Sequence, residues 1–82
     1  MPLQKHAKVR DEKFGAVIFD TQREKVYVTN EVGKEILKLI RNGQTLEEIV
    51  RHFTDLYDVE PSTIKSDVIS FLEDLRNSKL LT

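Results

Sequence analysis

His6, His52, four serines (Ser62, Ser66, Ser70 and Ser78) and the carboxylate pairs Glu47-Glu48 and Glu73-Asp74 are the side chains best suited to chemistry. A nucleophile needs a base within hydrogen-bond reach, and a metal needs converging nitrogen, sulfur or oxygen ligands. The spacing offers neither. The two histidines lie in different segments, and no serine has a base at a recognisable distance along the chain. Adjacent helix positions do not face each other, so the carboxylate pairs read as solvated helix faces. Cysteine is absent, which removes disulfides and thiolate metal sites. Three scattered glycines cannot cradle a phosphate. The residues therefore point away from an enzyme and imply no metal and no cofactor.

The elements that position these side chains carry more information. Gly15-Ala16-Val17-Ile18-Phe19-Asp20 and Lys25-Val26-Tyr27-Val28-Thr29 alternate as strands do, and Ala7–Asp11 carries a shorter alternation. The pattern predicts strands over 7–11, 15–20 and 25–29, a meander whose third strand is an edge. At Asn30 the period changes to that of a helix. Asn30 suits an N-cap, Gly43 a left-handed helix end, and Thr45-Leu46-Glu47-Glu48 a capping box. Pro61 suits the first turn of a third helix. Helices are predicted over 31–42, 46–57 and 61–77. The core is expected to contain Val17, Phe19, Ile36, Ile40, Ile49, Phe53, Val68, Phe71 and Leu75. Tyr27 reads either as a half-buried cross-strand partner or as a groove wall. Asp67 reads either as a solvated carboxylate or as an acceptor beside a groove.

The 82 residues are enough for one domain, 1–82. No apolar run approaches a membrane span, and the N-terminus from Met1 lacks the apolar region of a signal peptide. With no cysteine, this pattern predicts a cytoplasmic protein. Net charge is −1, but it is unevenly spread. Residues 1–41 hold nine Lys/Arg and six Asp/Glu, whereas residues 42–82 hold four and eight. An acidic helical half argues against a nucleic-acid partner, because phosphate neutralisation needs clustered cations.

Val26-Tyr27-Val28-Thr29-Asn30, Ile36-Leu37, Asn42-Gly43-Gln44-Thr45, Ile49, Tyr57-Asp58-Val59, Asp67-Val68, Phe71-Leu72, Leu75 and Leu80-Leu81 occur in an order that resembles the PqqD-like proteins. These are the precursor-peptide recognition elements of ribosomal peptide natural-product pathways. The Asn-Gly-Gln-Thr and Tyr-Asp-Val segments are also similar to the small stand-alone proteins of lasso-peptide clusters. Two departures stand out: Thr29 where the family often has Leu, and Lys79 where it often has Gly. The resemblance implies an α+β, winged-helix-like fold, with a three-stranded antiparallel sheet packed on three helices. It implies that a leader peptide binds as an added strand beside the third helix. A separate modifying enzyme (a radical enzyme, a cyclase or a leader peptidase) would then act on the presented precursor.

The residues support the same mechanism physically. An edge strand leaves N–H and C=O groups that an extended peptide can satisfy. Val26, Tyr27, Val28 and Thr29 are expected to supply that ladder. Lys65, Val68, Ile69, Leu72 and Arg76 are expected to line the helical wall, although the pattern leaves open which flank of the helix faces the groove. A DNA-binding winged helix, and a homodimerisation or scaffold module that uses the same free edge, are the competing readings.

Overall fold

The computed structural model describes residues 2–82, so Met1 lies outside the described residues. Three strands, β1 (Ala7–Asp11), β2 (Gly15–Asp20) and β3 (Lys25–Asn30), form one antiparallel sheet in the order β1-β2-β3. Three helices follow: α1 (Glu31–Arg41), α2 (Leu46–Leu56) and α3 (Pro61–Asn77). This is the predicted α+β architecture, with boundaries displaced by at most one residue.

The expected punctuation is present. Asn30 Oδ1 accepts from the Gly33 N–H at 2.9 Å and starts α1. In the capping box before α2, the Glu48 N–H donates to Thr45 Oγ1 at 3.2 Å. The Thr45 N–H donates in return to Glu48 Oε1 at 2.9 Å. Gly43 adopts φ 80°, a left-handed conformation that favours glycine. Pro61 opens α3, which has no side-chain cap.

Of the expected core, Val17 is buried, though on the outer sheet face, while Phe19 and Phe71 are only half-buried. The register places Ala16 opposite Thr29 and Ile18 opposite Tyr27, and this is the face turned to the helices. Ala16 and Ile18 are fully buried among Ile36, Leu37, Ile49, Phe53, Val68, Leu72 and Leu75. Val17 and Phe19 belong to the opposite face, with Arg10, Val26 and Val28. Val17 is covered there by its neighbours, and Phe19 is only half-buried under the Arg10 guanidinium, 5.2 Å from its ring centre. Both alternating sets of β2 are apolar, so the pattern defines two faces without saying which packs inward.

α1 packs on β2 and β3, while α3 packs chiefly on α2. Leu80 and Leu81 fold back into the core. Leu81 also bridges to Leu3, with the Gln4 N–H donating to the Leu80 carbonyl at 2.9 Å. The two chain ends are thereby clasped beside the start of the sheet.

Candidate functional site

The sheet has two edges, and they differ. β1 presents Lys8, Arg10 and Asp11, with ion pairs from Arg10 to Glu12 (2.6 Å) and from Arg41 to Asp11 (3.6 Å). Such charges disfavour pairing with another strand. β3 presents Val26 and Val28, 59% and 60% exposed, between Lys25 and Thr29. Alternate residues of an antiparallel edge strand aim their N–H and C=O groups outward, so this edge can accept a further strand.

Across from β3 runs α3. Asp67, Phe71, Asp74 and Ser78 recur at i, i+4, i+7 and i+11, one stripe of the helix. Phe71 meets Tyr27 edge to face, with ring centres 6.4 Å apart and planes at 68°. A recess lies on either side of this contact. One, of about 410 Å³, lies at the start of β3 and includes Asp20, Lys25, Tyr27, Ser78 and Lys79. The other, of about 530 Å³, is mainly apolar and opens beyond the end of β3 among α1, α2 and α3: Val32, Ile36, Phe53, Ile64, Val68 and Phe71 line it, with Asn30 as its one β3 residue and Asp67 at its wall.

The electrostatics follow the geometry. Burial pushes the Tyr27 phenol above its usual range, and the Asp74 carboxylate adds to the shift. Asp20 is 4% exposed. Its burial favours the neutral acid, but donors outweigh that effect and hold its carboxyl below the ordinary value. These donors are the Gln22 and Arg23 N–H groups, both at 3.0 Å, and the Arg23 guanidinium at 3.3 Å.

The predicted site residues separate into groups. Val26 and Tyr27 line the first recess, whereas Val28 projects from the outer sheet face. Thr29 faces inward, and its side chain abuts Gly33 of α1. Val68 lines the apolar recess, and Leu72 lies in the core. Lys65 borders α2 instead, beside Glu47, Val50, Arg51 and Thr54. Ile69 is half-buried and lines neither recess beside β3. Arg76 is exposed, its Nε donating to the Thr82 carbonyl at 3.4 Å. The row 65, 69, 72 and 76 thus runs along the flank of α3 roughly opposite the groove stripe, at about 100° per residue. The signal for the groove flank was the 67-71-74 spacing of Asp, Phe and Asp.

No three His, Cys, Asp or Glu side chains converge as a metal site requires, among the described residues. His52 sits 3.3 Å from Glu35 between α2 and α1, and His6 Nε2 lies 2.7 Å from the Lys79 carbonyl. No helix is long and apolar enough to cross a membrane, among the described residues.

Residues 15–81 match the family model described as coenzyme PQQ synthesis protein D (PqqD). The chain belongs to the PqqD family. No curated protein matches it significantly. Two solved structures share the fold. TbiB1, solved in complex with the TbiA(beta) leader peptide, is 27% identical, with a TM-score of 0.93 over 99% of this chain and 94% of that one. A lasso peptide synthetase B1 complexed with the leader peptide is 18% identical, with a TM-score of 0.88 over 95% of this chain and 92% of that one. At that lower identity the likeness speaks to the fold.

Proposed function

We propose that this PqqD-family chain acts as one recognition domain. It binds the leader segment of a ribosomally made precursor peptide as a fourth strand on β3. It holds that peptide for a separate modifying enzyme and catalyses no step itself. The protein works in the cytoplasm, where such precursors are synthesised. The observation that carries this reading is the free edge of β3 beside α3, across an open groove where Tyr27 meets Phe71. Its support from the comparisons is TbiB1, which has the same fold and was solved with a leader peptide.

Backbone bonds to β3 give affinity with little sequence preference, and the two recesses select side chains. Ordering a flexible leader costs chain entropy, so the affinity is moderate for the number of bonds formed. Micromolar or tighter binding corresponds to about −8 kcal/mol or better. The test is an amide-shift titration with the leader of a short precursor encoded beside this chain. Shifts are expected in residues 25–30 and in the 67–78 stripe of α3. Shifts centred on β1 or on the α2-facing flank of α3 would overturn the assignment.

A further inference from the structure

The two ends of the groove carry opposite charge. At the start of β3 the carboxylate is Asp20, already buried and held by three donors. Arg23 is engaged with it. Lys25 and Lys79 line the same recess, and neither has an ion-pair partner among the described residues. Asp74, which acts on Tyr27, is a further carboxylate on this side, so Lys25 and Lys79 leave this end with a net positive charge rather than a balanced one. At the far end Asp67 stands at the wall of the apolar recess, also without an ion-pair partner among the described residues. From Lys25 to Asn30 the strand advances about 17 Å, at about 3.3 Å per residue. That exceeds the screening length of about 10 Å at about 0.1 M salt, so each end acts on the peptide segment above it.

Resting on the peptide-binding reading above, we infer that the groove sorts its peptide by charge. A carboxylate-bearing segment lies over Lys25 and Lys79, and an apolar segment free of carboxylates lies over Asp67 and the apolar recess. A strand added antiparallel to β3 starts over the apolar recess and ends over the lysines. In such a peptide the acidic residues follow the apolar ones. The partner is thus a peptide with an apolar half and an acidic half, and Lys25 and Lys79 determine that specificity.

The probe is a capped synthetic peptide with Tyr, Leu and Val alternating with Thr in its first half and two Glu residues in its second. A nitroxide sits at the acidic end. In an amide titration to millimolar peptide at low salt, the nitroxide is expected to broaden the Lys25 and Lys79 signals and to spare Asp67. Replacing both Glu by Gln is expected to weaken binding about five- to tenfold, the combined effect of two exposed ion pairs. That difference shrinks at high salt and disappears in the K25E/K79E variant. Both lysines are exposed, so the variant keeps the fold. Broadening near Asp67, or equal affinity of the Glu and Gln peptides with shifts still in residues 25–30, overturns the charge sorting and leaves the groove intact. No shifts in residues 25–30 with either peptide overturns the groove assignment, and the sorting with it.

Discussion

Gly33 holds α1 against the wall of the groove with only a hydrogen for a side chain. A Cβ there would collide with the Thr29 side chain and stand 3.0 Å from Phe71 Cε1. Glycine inside a helix costs roughly 1 kcal/mol relative to Ala, so local propensity alone favours replacing it. The packing reverses that preference. Gly33→Ala is expected to lower stability by roughly 1–3 kcal/mol, the usual range for overpacking, as read from denaturant melts. Tyr27 reports on the same place through its proton. Its folded pKa is raised, first by burial and then by Asp74, so the associated stability is intact below the ordinary 10.0 and is lost as pH rises through the folded value. Asp74→Asn is expected to move the phenolate absorbance transition to lower pH. An unchanged transition would place Asp74 away from the groove. Asp20 has the opposite sign. Its folded pKa is depressed, so its stabilising effect is present above the ordinary 3.8 and is lost as pH falls through the lower folded value. Asp20→Asn is expected to flatten the acid limb of the stability profile.

At the scale of elements, order and boundaries were legible because each transition carries its own chemistry. Asn30, Thr45 with Glu48, Gly43 and Pro61 all occupy the positions their side chains suit. The orientation of the elements was less legible. β2 is apolar on both faces, and its largest residue, Phe19, lies on the outer one, where Arg10 covers the ring. Side-chain size therefore pointed the wrong way. On α3 both flanks of the core stripe mix charged and apolar residues: Lys65, Ile69 and Arg76 on one, Asp67, Phe71 and Asp74 on the other. Only the position of β3, a tertiary fact, distinguishes them. The end of α3 carries a departure visible in both sequence and structure. Lys79, where the family often has Gly, adopts φ 64°. A side chain in the left-handed region costs roughly 1–2 kcal/mol per residue. Lys79→Gly is expected to raise the stability of the fold by about 1 kcal/mol in thermal or denaturant melts. The same change removes one of the two free cations, so binding of an acidic peptide should fall while stability rises.

At the scale of the whole molecule, the groove exists because α3 is carried by α2 while β3 is carried by β2 and α1. Both walls share one core but rest on different neighbours, and the Tyr27–Phe71 contact spans the space between them. This division of labour separates folding from binding on a single helix. Leu75 is fully buried, so Leu75→Ala is expected to cost roughly 2–5 kcal/mol of stability. Phe71 is only partly buried and lines the apolar recess. Its truncation leaves a gap open to solvent rather than a sealed cavity, so Phe71→Ala is expected to cost roughly 1–2 kcal/mol, below the roughly 3–5 of a fully buried ring. Leader binding should respond in the reverse order. On the proposed reading a bound strand would cover the Phe71 ring, so its loss should weaken binding about tenfold or more, within the range of a truncated aromatic contact. Leu75→Ala should leave the affinity of the folded fraction nearly unchanged. Paired melts and titrations on the two variants check both halves. If Phe71→Ala destabilises as much as Leu75→Ala and leaves the leader's affinity intact, the ring belongs to the core. The leader then binds elsewhere than between β3 and α3.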